Sequence, residues 1–411
     1  MVMLSMTDGV RKVYGIETYR RPIRGIQPSA PLGLKVKFSN VSVSKGIFSL
    51  LPENTIVLGG GLADDDSTHT VQSGNLWNTE ANKDGVPPVS RPYKLPDFPI
   101  TEGCSKTSGL VVCFGELLID FVCIDESSGC RRDLGGAIAN VAVGADESGY
   151  SLVDILKENN VDTSGMRVDS NGSTTLAYVE LRPDRERKCS FFRNPGADML
   201  LYESELDRKL IEKAKIFHYG SMSLIEEPCK SAHLSALRIA KDSDCILSYY
   251  PKLRLALWPS AEAARNGIMS IWHLADVIKI SEDEITFLID GGDPYDDDVV
   301  LEKLFYSNLK LLIVTGGSEG CRYYTKGFKG KVRGVNVKLL DTTGAGEAFV
   351  SGILYNIASD PSIFEDEERL QKALYFANVC GALTVTERGA ITALPTKDAV
   401  LQFYAKQEHQ L

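Results

Sequence analysis

The 411-residue chain lacks the features that mark membrane proteins, secreted proteins and metal-binding knuckles. No apolar run approaches the roughly 18 residues that a membrane span needs. The N-terminus lacks the charged-then-apolar layout of a secretory signal. None of the nine cysteines forms a C-x-x-C pair, which excludes a metal knuckle or a dithiol motif and favours reduced thiols. We therefore expect a globular protein of a cytosol-like compartment, with no membrane segment.

The chain also lacks an excess of basic residues. It has 45 Lys and Arg against 55 Asp and Glu, a formal charge of −10. This balance argues against a protein that binds nucleic acid or anionic lipid over a broad face. A composition of 43% hydrophobic and 24% charged residues is typical of one or two globular domains. The expected partner is a small molecule.

Residues 1–108 differ in composition from the rest of the chain. Proline and glycine clusters interrupt each apolar stretch, and this pattern argues against complete helices or paired strands. We expect a flexible leader. Its first 50 residues contain only two acids, Asp8 and Glu17, which leaves an organelle transit segment open as an alternative.

Residues 109–411 form the expected folded domain. Short β-branched or aromatic runs alternate there with helical periodicity, the pattern of an α/β sheet with crossover helices. Strands are predicted at 110–114, 176–181, 216–219, 246–249, 277–280 and 311–315. Amphipathic helices are predicted at 204–214 and 227–241.

The most informative segment is DTTGAGEAF at 341–349, which leads from an apolar strand into a helix. A glycine-rich turn at a helix N-terminus presents unpaired N–H groups and the positive end of the helix dipole to an anion. Glu347, in the first helical turn, could accept a proton from an attacking hydroxyl. Taken alone, the segment also fits a plain tight turn with a capping acid.

Seven further segments accompany this turn. They are FGELLID (114–120), GGAIAN (135–140), RNPGAD (193–198), FHYG (217–220), KISEDE (279–284), VTGGSEG (314–320) and FANVCGALT (376–384). Their order and spacing resemble those of ribokinase-like (PfkB) sugar kinases, most closely plant fructokinases, from about residue 110 to residue 400. The resemblance implies an α/β fold in which helices sandwich a mainly parallel sheet that carries a small β lid.

The resemblance also implies a sugar site. Its members would be Asp120, Gly135, Gly136, Asn140 and Arg193. A buried acid can accept two hydroxyl hydrogen bonds, and glycine lets the backbone approach the sugar. A strand-end cap for Asp120 and a surface salt bridge for Arg193 remain open.

A nucleotide and ion site follows from the same resemblance. Its nucleotide-binding members would be Thr315, Gly317, Gly320, Asn378, Gly381 and Arg254. Glu284 would order the water shell of a magnesium ion, and Asp341 with the loop at 388–391 would hold a monovalent cation such as K⁺. Alone, Glu284 would be an ordinary acid at a helix N-terminus and Asn378 a solvent-facing residue.

Three positions near the phosphate depart from the family pattern. The family's catalytic base is aspartate, whereas Glu347 adds about 1.5 Å of reach, and a misplacement of about 1 Å can cost on the order of 10²-fold in rate. The family's Asp-Pro-Asn-Leu-Arg is here Tyr250-Pro-Lys252-Leu-Arg254. This change makes the local charge more positive by two in a place where phosphate charge is managed.

Two further departures concern the scaffold. After Val143 the family continues through a helix and a strand, and roughly 15 to 20 of those residues are missing here, which would leave strand edges unpaired. The stretch at 123–132 is shorter than the start of the family's lid, so the site would be wetter.

The resemblance implies an ATP-dependent fructokinase that uses Mg²⁺, with K⁺ as a further ion. Glu347 would deprotonate the sugar's terminal hydroxyl, the amides of Gly344, Ala345 and Gly346 would hold the phosphoryl group, and Asp120 with Asn140 would orient the sugar. The altered positions leave an inactive fructokinase-like binding or regulatory protein as the alternative. We expect sugar and ATP as partners, a homodimer made doubtful by the altered lid, and a cytosolic location with the plastid as alternative.

Overall fold

The structure, a computed structural model, describes residues 109–123, 130–142, 152–169, 172–181, 187–193 and 196–408, together with six strands before residue 60. The chain divides into two units, Met1–Pro96 and Asp97–Leu411.

The first unit contains paired strands. They are β1 (Met3–Thr7), β2 (Lys12–Glu17), β3 (Lys35–Phe38), β4 (Ser42–Ser44), β5 (Ile47–Leu50) and β6 (Thr55–Gly59). Four of them form a sheet in the order β1-β2-β5-β4, and β3 pairs with β6. The expectation that proline and glycine prevent strand pairing here was therefore wrong. Strands of three to six residues fit between the breakers, which end strands without preventing them.

The second unit contains two sheets. Its strands are β7 (Val111–Phe114), β8 (Leu118–Cys123), β9 (Cys130–Gly135), β10 (Leu176–Leu181), β11 (Arg187–Phe192), β12 (Ile216–Tyr219), β13 (Ile246–Tyr249), β14 (Val277–Ser281), β15 (Leu311–Thr315), β16 (Cys321–Tyr324) and β17 (Lys329–Val332). The larger sheet has the order β17-β16-β15-β14-β13-β12-β7, and the smaller one has the order β11-β10-β8-β9.

Helices connect and cover these strands. They are α1 (Ala137–Ala142), α2 (Leu152–Glu158), α3 (Arg208–Glu212), α4 (Cys229–Asp242), α5 (Ala261–Ser270), α6 (Glu282–Ile289), α7 (Asp297–Leu304), α8 (Ala345–Ser359), α9 (Glu367–Thr384) and α10 (Lys397–Glu408). Within the described residues, no helix combines the length and the apolarity that crossing a bilayer requires.

Strands β7 and β12 to β15 run parallel, whereas β16 and β17 return antiparallel. The carboxyl ends of the parallel strands therefore lie along one edge of the sheet. In open α/β sheets ligands bind in the crevice outside these ends. The predicted α/β class, mainly parallel sheet and small β lid are confirmed.

Burial is uneven across the large sheet. Every residue of β12 is buried, and Tyr219 and Tyr249 stack at 5.0 Å between ring centroids on neighbouring strands. In contrast, all four residues of β7 are only partly buried. Strand β7 ends the sheet in the described part of the chain, in agreement with the expected unpaired strand edge.

One predicted helix is shorter than expected. The sequence pattern at 204–214 yields a 3-10 turn at Glu203–Glu205, and α3 begins only at Arg208. Asp207 explains the break, because its carboxylate accepts a hydrogen bond from Leu210 N and caps the new helix.

Candidate active site

The DTTGAG turn is held by two loops that meet at the start of α8. Gly344 has a φ of +80°, and a Cβ there would lie 2.9 Å from Ala390 Cα. Only glycine fits this left-handed and crowded position. Asp341 ties the loops together, since one carboxylate oxygen accepts from Thr343 N and the other from Gly389 N, each at 3.0 Å.

Glu347 lies in the first turn of α8 and is 3% exposed. Its Oε1 is 3.0 Å from Lys252 Nζ, whereas its buried Oε2 has no hydrogen-bond partner. Burial raises the pKa of this carboxyl, but Lys252, Arg254 and Lys279 outweigh burial and hold the pKa below its ordinary value. Glu347 is therefore ionised, with one oxygen directed to a lysine and the other unengaged.

Tyr250, Lys252 and Lys279 converge on the same turn. The Lys252 ammonium donates to the Tyr250 hydroxyl at 3.1 Å, and the Lys279 ammonium lies 4.0 Å from the Tyr250 ring centroid. A Cβ at Gly346 would be 2.6 Å from the Tyr250 hydroxyl and 3.2 Å from Lys279 Nζ. Thus one phenol and two ammonium groups face the place where the resemblance puts the phosphoryl group.

Glu284 has a structural role at the start of α6. Its Oε2 accepts from Ser281 N at 2.8 Å in a capping box, and its Oε1 accepts from Leu253 N at 2.8 Å. The carboxylate thereby joins α6 to the loop that carries Lys252. This geometry matches the alternative of an acid at a helix N-terminus and leaves further lone pairs for water.

On the sugar side, Asp120 and Gly135 are adjacent across paired strands. A Cβ at Gly135 would overlap the Asp120 carboxylate. Gly136 has a φ of +109° and lies against the carbonyl of Glu116. The Glu116 side chain accepts from Ala137 N at 3.2 Å, which caps α1. The predicted acid and the Gly-Gly turn are thus in contact, as a sugar site needs.

Asn140 is buried and Arg193 is partly buried in this region. Asn140 is 4% exposed, and its Oδ1 has no hydrogen-bond partner. Arg193 forms an ion pair with Asp198 at 2.8 Å, and Asp198 also accepts from Thr175. The salt bridge expected for Arg193 is therefore present, with the arginine side chain 16% exposed and the aspartate side chain 2% exposed. The free Asn140 oxygen remains available to a ligand.

Arg254 lies between the two sides. Its charge lowers the pKa of both Glu116 and Glu347, and its guanidinium lies 6.0 Å from the Phe191 ring centroid. Burial is the larger effect on Glu116 and raises its pKa to about 7. The arginine thus couples the sugar side electrostatically to the phosphate side.

Two of the predicted nucleotide residues, Gly320 and Asn378, meet at the end of β17, whereas Gly381 lies against the start of α8. Gly320 has a φ of +92°, and a Cβ there would collide with Val332 O. Asn378 is buried and donates to Arg333 O at 3.0 Å, so it is not the solvent-facing residue that its helix position suggests. Gly381 lets α9 pack against Ala345 O.

Thr315 and Gly317 lie on the turn before Gly320. Thr315 ends β15 and donates weakly to Ile280 O at 3.4 Å, and Gly317 has a φ of +56° with open space where a Cβ would be. The backbone of this turn therefore favours glycine at residue 317, and the space beside that residue is open. A turn that faces a phosphate needs such space.

Sequence reasoning gave no role to Glu116, Asp198 and Lys279. All three stand inside segments that were recognised, FGELLID, RNPGAD and KISEDE. For Glu116 the available signal was a single charged residue within an otherwise apolar stretch, and for Lys279 it was the one base of an acidic motif. In the structure these groups cap α1, bind Arg193 and approach Gly346.

An acid in the first turn of a helix beside a glycine-rich turn, together with a second acid in contact with a Gly-Gly turn, is the arrangement expected of a phosphotransferase that acts on a hydroxyl group. The model of the pfkB family of carbohydrate kinases matches residues 108–397. The chain belongs to this family. A second family model, described as the RMI1 N-terminal OB-fold domain, matches residues 1–72.

Curated relatives agree. The chain is 62% identical over 312 residues to probable fructokinase-7 of Arabidopsis thaliana, covering 71% of this chain and 91% of that one. It is 58% identical to the chloroplastic probable fructokinase-6 of the same plant, covering 73% and 83%. Because 71% of 411 residues is about 292, about 20 of the 312 aligned positions have no residue here. This agrees in size with the segment expected to be missing after Val143.

Solved structures lead to the same family. The chain is similar to the fructokinase of Xylella fastidiosa with bound ATP, with a TM-score of 0.65, 32% identity and coverage of 73% of this chain and 99% of that one. It is also similar to the fructokinase of Vibrio cholerae O395 with fructose, ADP and calcium ion bound, with a TM-score of 0.64, 29% identity and coverage of 72% and 99%.

Proposed function

We propose that the chain is an ATP-dependent fructokinase, which converts D-fructose and ATP to fructose 6-phosphate and ADP. The observation that carries this proposal is the position of Glu347, whose unpartnered Oε2 stands in the first turn of α8 beside the Gly344–Gly346 turn. The high identity to plant fructokinases supports fructose as the sugar.

In the proposed step, Glu347 takes the proton of the sugar's terminal hydroxyl. The hydroxyl oxygen forms a bond to the terminal phosphorus of ATP, and the bond from that phosphorus to the β-phosphate oxygen breaks, so that ADP leaves. The N–H groups of Gly344, Ala345 and Gly346 stabilise the charge on the transferring phosphoryl group. Asp120 and Asn140 hold the sugar hydroxyls in line.

The nucleotide is proposed to lie along the turn at 315–320 and along α9. Thr315, Gly317 and Gly320 would border its phosphates, Asn378 and Gly381 its adenine, and Arg254 its terminal phosphate. Support comes from the positive φ of both turn glycines and from the contact of Asn378 with the end of β17. Arg193 would support the sugar side through its partly buried pair with Asp198.

We further propose Mg²⁺ and K⁺ as the ions of the site. Among the described residues no three His, Cys, Asp or Glu side chains form a metal cluster, so the donors fit a mostly hydrated Mg²⁺ held through water by Glu284. Such an ion would neutralise phosphate charge. K⁺ would lie between the loops that Asp341 joins, with backbone carbonyls as its main ligands.

The altered residues keep a second function in view. Lys252 pairs with the proposed base, and Tyr250 approaches the phosphoryl turn. These contacts favour reduced activity or an inactive fructokinase-like binding protein.

A coupled assay with fructose, ATP and magnesium separates the two functions. We expect NADH-linked ADP release that requires fructose and disappears in Glu347→Ala. If the wild type is inactive, the variant Glu347→Asp, Tyr250→Asp, Lys252→Asn restores the family residues. A folded triple variant that still shows no turnover would refute the kinase function, and nucleotide binding without turnover would favour the binding protein.

We also propose a compartment, a domain boundary and an assembly for the chain. The cytosol is proposed as the compartment, supported by five described cysteines that form no disulfide, with the plastid as alternative because fructokinase-6 is chloroplastic. Residues 109–411 are proposed as the kinase domain behind a separate segment 1–108. A homodimer is the proposed assembly.

A further inference from the structure

Lys252 has a backbone conformation that few residues adopt. Its φ is +48°, in the left-handed region where asparagine is the best tolerated residue after glycine. The family pattern places asparagine at this position. A lysine in a sparsely populated conformation at a functional site is a sign that its side chain is held there for a purpose.

The lysine side chain lies at the N-terminus of α8 in a cluster with more positive than negative charge. Lys279 is 4% exposed and directs its ammonium toward Gly346, and among the described residues it forms neither a hydrogen bond nor an ion pair. Together with Lys252 it faces the Glu347 carboxylate, and the charges of Arg254 and Glu284 also act on Lys252, which leaves three cations and two carboxylates. The 15-residue helix adds its own positive end. An anion is the ligand that such a cluster fits.

Within this cluster Lys252 has two competing uses. In the structure its ammonium forms an ion pair with Glu347 Oε1 and donates a hydrogen bond to the Tyr250 hydroxyl. The same ammonium is near the amides of the Gly344–Gly346 turn, because Glu347 is in the first turn of that helix. A phosphate that enters the turn therefore competes with Glu347 for Lys252.

We propose that Lys252 binds the terminal phosphate of the nucleotide and that it leaves Glu347 to do so. This inference rests on the proposed function, since the phosphate arrives with ATP. When Lys252 donates to a phosphate oxygen, the Glu347 carboxylate loses its ion pair and becomes free to accept the sugar hydroxyl's proton. The hydroxyl oxygen then bonds to phosphorus as the bond to ADP breaks. Nucleotide binding thus releases the base.

The test compares a triphosphate with a diphosphate. Calorimetric titration of the full chain with the non-hydrolysable β,γ-imido analogue of ATP and with ADP, each with magnesium, gives both affinities. In Lys252→Asn we expect the analogue to bind about tenfold more weakly or worse, the loss of one charge-assisted hydrogen bond. ADP affinity changes far less, because ADP lacks the phosphate that Lys252 contacts.

Asparagine suits the backbone at position 252, and Lys310→Asn is the matched control. Lys310 is also paired with a carboxylate, Asp276, but it lies at the opposite end of the strands. The control keeps both affinities. The proposal is overturned if Lys252→Asn binds the analogue as tightly as wild type, or if it loses ADP affinity to the same degree, as a purely structural role requires.

A second pair of variants distinguishes the loss of a phosphate contact from misfolding. Lys252→Asn leaves Glu347 without its closest cation, whereas Glu347→Gln removes that buried charge. In the Glu347→Gln background Lys252 has lost its ion pair and keeps only the Tyr250 contact, so adding Lys252→Asn should cost more analogue affinity than it does in wild type. An equal or smaller cost would contradict the exchange of partners.

The binding measurement and the kinase assay can refute the inference and the proposed function independently of each other. A wild type that phosphorylates fructose while Lys252→Asn keeps full triphosphate affinity refutes this inference and leaves the function intact. A wild type whose triphosphate affinity depends on Lys252, but which shows no turnover and whose folded triple variant shows none either, refutes the function and supports the phosphate contact.

Discussion

The phosphate side and the sugar side of the site have changed in opposite ways. On the phosphate side β12 to β15 are almost wholly buried, but Tyr250, Lys252 and Glu347 depart from the pattern that the resemblance implies. On the sugar side Asp120, Gly135 and Asn140 fit that pattern, yet all four residues of the neighbouring strand β7 are only partly buried. The proposed site residues thus depart from the expected pattern where the strands are well buried. They fit the pattern where the neighbouring strand is more exposed.

The largest expected effect tests the chemistry of the phosphate side. Glu347→Ala should lower kcat by about 10²- to 10⁴-fold with little change in the KM for fructose, because it removes a general base and no sugar contact. The coupled assay measures both constants. Glu368→Ala, an exposed acid on α9, is the control and should retain wild-type rates. Wild-type kcat in Glu347→Ala would show that another group accepts the proton.

The next largest effect compares how much β12 and β7 contribute to the stability of the fold, with one phenylalanine substituted in each strand. Phe217 on β12 is 0% exposed and touches Phe114 on β7 with ring centroids 5.8 Å apart. Phe217→Ala should cost about 3–5 kcal/mol of unfolding free energy, and Phe114→Ala about half as much, since its site is already partly open. Urea denaturation followed by tryptophan fluorescence measures both. Equal losses would mean that β7 is as well supported as β12.

Asp120→Asn tests the retained chemistry of the sugar side. The amide keeps the shape of the carboxylate next to Gly135 but donates where the acid only accepts. We expect the KM for fructose to rise about 10- to 100-fold, the worth of one or two charged hydrogen bonds, with ADP affinity unchanged. Asp242→Asn, an exposed acid at the end of α4, serves as control. A rise in the KM for ATP instead would place Asp120 elsewhere.

The smallest effect is a shift in pH dependence. Lys252 lowers the pKa of Glu347, so Lys252→Asn should raise that pKa toward its ordinary value. Because the base must be deprotonated, the acidic limb of kcat/KM moves to higher pH in the variant. A pH–rate series of wild type, Lys252→Asn and Lys310→Asn measures the shift. A limb that stays in place or moves to lower pH would mean that Lys252 does not control Glu347.

The sequence predicted the six strands that flank the site to within one residue, because each is a short β-branched or aromatic run between clear breakers. The contact of Asp120 with Gly135 also followed from motif order. The pairing of Lys252 with Glu347 did not, since the two stand 95 positions apart and meet only when β13 and α8 pack in one fold. The buried state of Asn378 was missed for a similar reason, because it depends on the end of β17.

The partly buried edge strand β7 has a consequence for handling the protein. Its outer edge presents backbone N–H and C=O groups that the described part of the chain does not pair, flanked by Val111, Val112 and Phe114. Such an edge is a template for strands of other molecules. Recovery from expression should therefore fall with protein concentration and temperature before the buried half of the sheet loses any structure, so that colloidal behaviour and not unfolding sets the working limit.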